Sequence, residues 1–449
     1  CAGYTKAALI LMSLHQIARD SSPLPTAVAS ELFLRAASLS DLRSHRSVRS
    51  LVLAIALCCY ASVSLSAAQT TKANSRVAQA GEGVAEARLI EIYRQIGSGN
   101  VRDALINAER LVTKYPNFQL AQLVYGDLLA SQSRPIQGLG DVPREIAQHG
   151  VQNLLALRAE SKLRLAAVTE NPSADAVPSQ FVSLSSRNRH AIAVDTAKAR
   201  LYLFENTRAG TRVLASYYIS VGKEGVGKQV EGDQRTPLGI YFITSNLDPN
   251  SLKDLYGSGA LPINYPNVLD LRRGKTGSGI WLHGTPSNQF TRAPQATDGC
   301  VAVANPDLER ILRTVEIRTT PVLIGENFKW VQSSNMVEQK QFFTERLQMW
   351  AKTKRSGREI ELLRFYANDF KTDGKDLGNF SLNLASELKR LRGRPTLLKD
   401  VSLIRWTDDA DTLVATFGEI VQGEKVGRTV RQYWQKRANG WQIIYEGEV

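Results

Sequence analysis

His283 and Cys300 stand at the two ends of a polar loop within the stretch WLHGTPSNQFTRAPQATDGCVAVAN, residues 281–305. A thiolate is the nucleophile of acyl-transfer chemistry, and an imidazole can take the proton that frees it. Unassisted, a thiol with a pKa near ~8.5 is mostly protonated at neutral pH, so a neighbouring base decides whether it reacts. A short apolar run, Gly279-Ile280-Trp281-Leu282, ends at the histidine, and a second, Val301-Ala302-Val303-Ala304, begins after the cysteine. With both runs as strands of one sheet, the loop between them folds back and returns the imidazole to the sulfur. Gly284 and Gly299 flank the pair and permit close backbone approach. The competing interpretation is a small core hydrophobe, the commoner fate of a lone cysteine.

The surrounding elements must supply that sheet. From His190 the period switches to strands: Ala191 to Asp195 and Arg200 to Phe204, joined by the hairpin candidate Thr196-Ala197-Lys198-Ala199, then Val213 to Val221 and Ile240 to Ile243. Leu308 to Leu312 reads as a short helix and Thr320 to Ile324 as a closing strand. Short strands with glycine-rich turns and few helices predict a β-rich fold, a closed or sandwich-like sheet. Gly222, Gly225 and Gly227 lie in this β context without a following Lys-Ser/Thr, so they make a poor phosphate loop.

His283-Gly284-Thr285, the long loop, and Thr297-Asp298-Gly299-Cys300-Val301 resemble the active-site signature of the L,D-transpeptidase (YkuD-like) family of peptidoglycan enzymes. Gly232-Asp233-Gln234-Arg235-Thr236-Pro237-Leu238-Gly239-Ile240-Tyr241 is similar to that family's strand entry. The resemblance covers residues 189–325. It implies Cys300 as nucleophile, His283 as general base and acid, and backbone N–H at Gly299 and Cys300 as oxyanion donors. Gly284, Thr285, Arg292, Asp298 and Asn305 are the expected substrate-side or supporting residues. Many family members carry Arg two positions after the cysteine, where this chain has Ala302. Arg292 in the loop is the candidate substitute for that substrate-carboxylate contact, a solvated loop charge being the alternative.

At 449 residues the chain exceeds the ~250–300 at which single cores stop growing, so several domains are expected. The written sequence opens on Cys1 with its first methionine at Met12, and residues 1–68 read as an uncertain start followed by a secretory signal. Arg43, Arg46 and Arg49 form the basic region, Leu51 to Leu65 the apolar one, and Ser66-Ala67-Ala68 the cleavage site. The apolar run is shorter than the ~20 residues of a spanning helix, so a cleaved signal and a periplasmic protein are expected ahead of an N-terminal membrane anchor. Of the four cysteines, such cleavage leaves Cys300 alone, with no disulfide to form and a free thiol outside the cytoplasm that must be buried or used. His149, His190 and His283 then remain, not at metal-ligand spacing, and neither a metal nor a cofactor is expected.

The formal net charge of +13 falls to +10 without the first 68 residues. A positive surface suits an anionic polymer such as peptidoglycan, whose stem peptides are the expected partner. The charge is dispersed and no basic run interleaves aromatics, which excludes a nucleic-acid pattern. Membrane association is peripheral at most.

Residues 69–84 read as a linker and residues 85–168 as a helical, tetratricopeptide-like segment. Its stripes are Leu89, Ile92, Tyr93, Ile96, then Ala104, Leu105, Ala108, Leu111, Val112, then Leu120, Leu123, Val124, Leu128, Leu129. One such unit cannot bury both faces, so it packs on the Val151 to Ala167 helix, on the catalytic domain, or on a protein partner. Residues 169–188, rich in Ser, Pro and Ala, read as a second linker. Residues 332–449 read as helices (Met336 to Lys352, Glu359 to Tyr366, Leu382 to Leu391) followed by four strands, with Asn439-Gly440 a hairpin signal. That order resembles the SnoaL-like, nuclear-transport-factor-like α+β cone. It holds no histidine and shows no convergent acid/base pair. Asp369 is its one candidate polar residue at a pocket mouth, and binding or dimerisation is the expected role.

These features point to a cysteine acyltransferase on peptidoglycan stem peptides, crosslinking or anchoring protein at diaminopimelate through a thioester. Hydrolysis of a diaminopimelate-linked bond at the same site is the alternative raised by Ala302. A non-catalytic scaffold with an inert Cys300 is the alternative from another class.

Overall fold

The computed structural model describes residues 83–143, 150–372, 374–391 and 393–449. The expected secretory signal lies outside the described residues. Three helices open the described chain, α1 (Val84–Gly97), α2 (Val101–Lys114) and α3 (Gln119–Ala130), followed by α4 (Val151–Glu170). The expected stripes form their shared core: Leu89, Ile92, Ala104, Ala108, Leu111, Leu120, Val124 and Leu128 are buried together. Gly99, at φ +78°, takes the left-handed conformation that reverses the chain between α1 and α2. The same core includes Phe290 and Ala304, so these helices pack on the catalytic region itself. Toward the sheet, α4 turns a polar face of Glu160, Ser161 and Arg164 inward.

After α4 come β1 (Ala176–Pro178), β2 (Phe181–Ser183), β3 (His190–Asp195), β4 (Arg200–Thr207), β5 (Gly210–Gly222), β6 (Gly239–Phe242) and β7 (Ala260–Pro262). Then follow α5 (Val268–Arg272), β8 (Trp281–His283), β9 (Gln295–Thr297), β10 (Val301–Val303), α6 (Asn305–Thr314), β11 (Pro321–Gly325) and β12 (Trp330–Gln332). One curled sheet runs β6-β11-β3-β4-β5-β10-β8-β7, with β9 added alongside β5. Its two faces alternate as a doubly covered sheet requires. Ile192 and Val194 face one core with Leu282, Val301, Val303 and Ile311, whereas Ala191 and Ala193 face the other.

The remaining elements are α7 (Val337–Arg355), α8 (Glu359–Leu363), the small hairpin β13 (Lys371–Thr372) and β14 (Lys375–Asp376), α9 (Leu377–Leu391), and β15 (Thr396–Thr407), β16 (Asp411–Val421), β17 (Arg428–Arg437) and β18 (Gly440–Glu448). These last four strands form an antiparallel sheet in order β18-β17-β16-β15. One face packs on α7–α9 through Phe343, Trp350, Leu384, Phe417 and Trp434. The other meets the catalytic sheet through Trp406, Val414, Tyr433 and Ile444.

The expected linker at 169–188 is corrected. It carries β1, which pairs with β12, and β2, which extends the C-terminal sheet beside β15. Val177, Phe181 and Val182 are buried there, apolar residues whose partners lie more than a hundred positions away. The C-terminal region also holds more polar convergence than its sequence suggests. Lys354 Nζ lies 2.6 Å from Glu419 and 3.2 Å from Glu387, and Tyr366 and Gln432 both donate to Glu446 (2.9 and 2.7 Å). Asp369, expected at a pocket mouth, pairs with Arg272 of α5 (2.5 Å) and Arg437 (2.9 Å) and so links the two regions.

Candidate active site

The parallel ladder between β8 and β10 sets Val301 against Leu282 and Ala302 against His283. Cys300, immediately before β10, therefore lies beside Trp281, and the Trp281 N–H points to its Sγ at 3.4 Å. Two strand steps along β8 and one strand across puts the Cα atoms of Cys300 and His283 roughly 8 Å apart, within reach of their side chains. Paired and alternate positions share a face, so Cys300, Trp281, His283 and Ala302 stand on one side of the sheet while Leu282, Val301 and Val303 enter the core on the other. A loop that looks long in sequence thus closes over a single ladder.

His283 is 2 % exposed. Its Nδ1 is 2.7 Å from the Gly284 carbonyl. A carbonyl only accepts, so Nδ1 carries the proton and Nε2 keeps a lone pair for accepting one. Burial, with a smaller contribution from the nearby Arg292 charge, pushes the imidazole down to about 4. Tyr256 sits edge-on to the ring at 5.2 Å and against Trp281 at 4.7 Å.

The Cys300 side chain is half-buried, and its thiol faces the Gly279 carbonyl at 3.5 Å. Burial pushes the thiol up to about 11; Trp281 N–H, Arg292 and Lys228 oppose that rise and Asp298 adds to it. The resting pair is therefore a neutral thiol and a neutral imidazole, each hydrogen-bonded to backbone rather than to the other. Catalytic hydrogen bonds often tighten only when substrate is bound.

The turn before Cys300 is held by two threonines. Thr297 Oγ1 donates to the Cys300 carbonyl (2.7 Å) and accepts from the Gly299 N–H (3.1 Å). Thr236, from the upstream Arg-Thr-Pro motif, donates to the Gly299 carbonyl (2.9 Å) and accepts from Gly222 N–H (2.9 Å). The two sequence motifs thus meet through one carbonyl. Gly299 has φ +120°, and a Cβ there would lie 2.8 Å from the Arg235 carbonyl. Asp233 accepts from Lys228 Nζ (2.8 Å) and from the N–H groups of Gln229, Val230 and Arg235, which together hold its carboxyl well below the usual range despite desolvation.

Several expected site residues take other places. The Gly299 N–H, expected as an oxyanion donor, donates here to Thr297 Oγ1. Thr285 is buried and donates to the Phe290 carbonyl (3.2 Å). Asn305 accepts from Ser258 and Thr285 N–H (both 3.0 Å) and donates to the Thr285 carbonyl (2.8 Å). Both are braces for the backbone rather than substrate contacts. Gly284 is buried, a Cβ there would collide with the Asn305 side chain, and its carbonyl is the one that meets His283 Nδ1. Asp298 is exposed and pairs with Lys223 at 2.8 Å. The Arg292 charge adds to the lowering of the His283 pKa and opposes the rise of the Cys300 pKa. Tyr256 escaped the sequence reading, and Thr297 and Trp281, though inside the quoted stretches, were given no role, because nothing in residue type separates them from ordinary strand and loop positions. Among the described residues no group of His, Cys, Asp and Glu is arranged to hold a metal ion.

Fold and site define a class: a curled β-sheet domain presenting one cysteine and one histidine from adjacent parallel strands. Residues 189–324 match the family model of the L,D-transpeptidase catalytic domain, YkuD, and the chain carries a domain of that peptidoglycan-enzyme family. No curated protein matches the chain. Among solved structures it is similar to Bd1075 of Bdellovibrio bacteriovorus, at 24% identity and a TM-score of 0.52, covering 61% of this chain and 98% of that one. A further similar structure is the helical cell shape determining protein Pgp2 of Campylobacter jejuni, at 22% identity and a TM-score of 0.48, covering 65% and 99%. At these identities the likeness concerns the fold. Among the described residues no helix is long and apolar enough to cross a membrane.

Proposed function

We propose that the protein is an exported cysteine acyltransferase acting on peptidoglycan stem peptides in the periplasm, without a metal or cofactor. The observation that carries this reading is the β8–β10 register, which sets Cys300, His283 and Ala302 on one face. The thiol proton passes to His283 Nε2 as the sulfur attacks the carbonyl of the bond beside diaminopimelate. The S–C bond forms, the C–N bond breaks, and His283 returns the proton to the leaving amine. Because the resting groups are both neutral, proton transfer accompanies attack. The Cys300 N–H stabilises the oxyanion, a contribution of ~3 kcal/mol for one such donor. Arg292 receives the substrate carboxylate.

An amine acceptor then yields a crosslink or an anchored protein; water yields hydrolysis. Ala302 favours the second outcome as an alternative. It pairs directly with His283, so an arginine there would have stood next to the base, and alanine supplies no charge for the family's usual substrate-carboxylate contact. In the same reading α1–α3 are a tetratricopeptide-like module and the C-terminal sheet with its helices is a cone. Incubation with purified sacculi, followed by mass spectrometry of muropeptides and protein, tests the whole. New dimers or anchored protein support transfer and shortened stems support hydrolysis. Products that persist in Cys300→Ala would refute cysteine chemistry, leaving a scaffold.

A further inference from the structure

The N-terminal helices do more than cover the catalytic sheet, because they grip the loop that carries Arg292. The Asn117 side chain donates to the Ser287 carbonyl, and the Phe290 N–H donates to the Asn117 carbonyl, each at 3.0 Å. The Phe290 ring sits against Phe118 at 4.5 Å and Tyr115 at 5.1 Å. From α4, Glu160 accepts a hydrogen bond from Thr291 Oγ1 at 2.9 Å. The same carboxylate oxygen accepts from Arg164 at 2.7 and 2.9 Å. Arg164 in turn stacks on the Tyr218 ring at 4.0 Å, and the Tyr218 hydroxyl donates to the Arg292 carbonyl at 3.0 Å.

This cluster is buried and holds charges of both signs. Glu86 Oε1 bridges Arg164 (2.8 Å) and Arg200 (2.7 Å), and Arg200 donates also to Ser216. Glu86, Glu160, Arg164 and Arg200 are all at most 4 % exposed. A buried ion network is poor evidence of added stability, since its desolvation cost rivals its attraction, but it enforces one geometry. Here the geometry it enforces ends at residues 291 and 292.

We infer that Glu160 and Arg164 are positioning residues of the active site, holding the loop so that the Arg292 guanidinium stays within charge range of Cys300 and His283. The inference rests on the cysteine-enzyme reading only for its catalytic consequence. Thr291→Val and Tyr218→Phe each delete one hydrogen bond of the relay and keep the packing, and thermal unfolding confirms that each variant folds. The first readout needs no turnover: the ratio of Cys300 labelling by anionic iodoacetate to that by neutral iodoacetamide, measured at alkaline pH. A cation whose field reaches the thiolate favours the anionic reagent by about threefold, which Arg292→Ala removes and each relay variant is expected to reduce. The second is kinetic: KM for a stem peptide rises about 3- to 10-fold with kcat little changed, and not at all when Arg292 is already alanine. An unchanged labelling ratio in both relay variants, or losses that add to those of Arg292→Ala, would overturn the inference. A wild-type protein that turns over no stem peptide defeats the cysteine-enzyme reading, while the labelling ratio still decides the positioning claim.

Discussion

The resting protonation state of Cys300 gives the sharpest prediction. With its thiol at about 11, roughly one molecule in 10,000 is thiolate at neutral pH, some ~300-fold fewer than for an ordinary thiol near ~8.5. His283, pushed down to about 4, is neutral over the same range and supplies no imidazolium to hold a thiolate. Iodoacetamide labelling of Cys300 in the substrate-free protein is therefore slow at neutral pH, rises about tenfold per pH unit through the alkaline range and levels off only above about 11. His283→Gln leaves this curve where it is. Arg292→Ala moves it to higher pH, because the guanidinium is among the groups restraining the thiol pKa. Stopped labelling followed by intact mass measurement yields the curve directly. Fast labelling on a plateau between about pH 5 and pH 8, abolished in His283→Gln, would mean a preformed thiolate–imidazolium pair and would refute the reasoning. Slow labelling of the free protein consequently does not argue for a scaffold; acyl-enzyme formation with substrate is the discriminating observation.

Three further outcomes follow from the geometry. His283 is protonated more easily unfolded (~6.5) than folded (about 4), so the unfolded chain binds the extra proton between those values; stability contributed by the neutral buried ring is full above ~6.5, falls as pH drops, and is lower by ~3 kcal/mol below about 4. Urea unfolding across that window should show a shallower acid loss in His283→Gln. Asn305→Ala removes three bonds to the backbone of Ser258 and Thr285 and should cost ~2–4 kcal/mol in urea unfolding, with loss of activity as the Gly284 carbonyl loosens. Gly299→Ala forces a side chain into the left-handed region against the Arg235 carbonyl, and a drop of ~1–3 kcal/mol in unfolding free energy is expected, together with a misplaced Cys300.

Much of the architecture could be read from local pattern. The apolar periodicity of α1–α3, the β3–β4 hairpin, and the last four strands with their Asn439-Gly440 turn stand where period and turn chemistry put them. The residue pair His283 and Cys300 was legible too, because glycines and opposing apolar runs frame both. Thr297 and Thr236 stood inside the quoted motifs and Asn305 among the supporting candidates, but the part each plays was not legible. Thr297, Thr236 and Asn305 act through hydrogen bonds to backbone atoms distant in sequence, and no periodicity encodes such a partner. The 169–188 segment failed for a related reason: β1 and β2 are too short to show alternation and exist only because β12 and β15 offer them edges.

The residue types alone therefore determined which groups could react, a thiol and an imidazole at the ends of one loop. Only the tertiary structure decided their state and their company. Burial made both groups neutral, and the parallel ladder put Ala302 beside the base. Helices from the start of the described chain came to grip the loop that carries Arg292, as desolvation and hydrogen bonding across the chain depend on what packs around an atom and not on its neighbours in sequence.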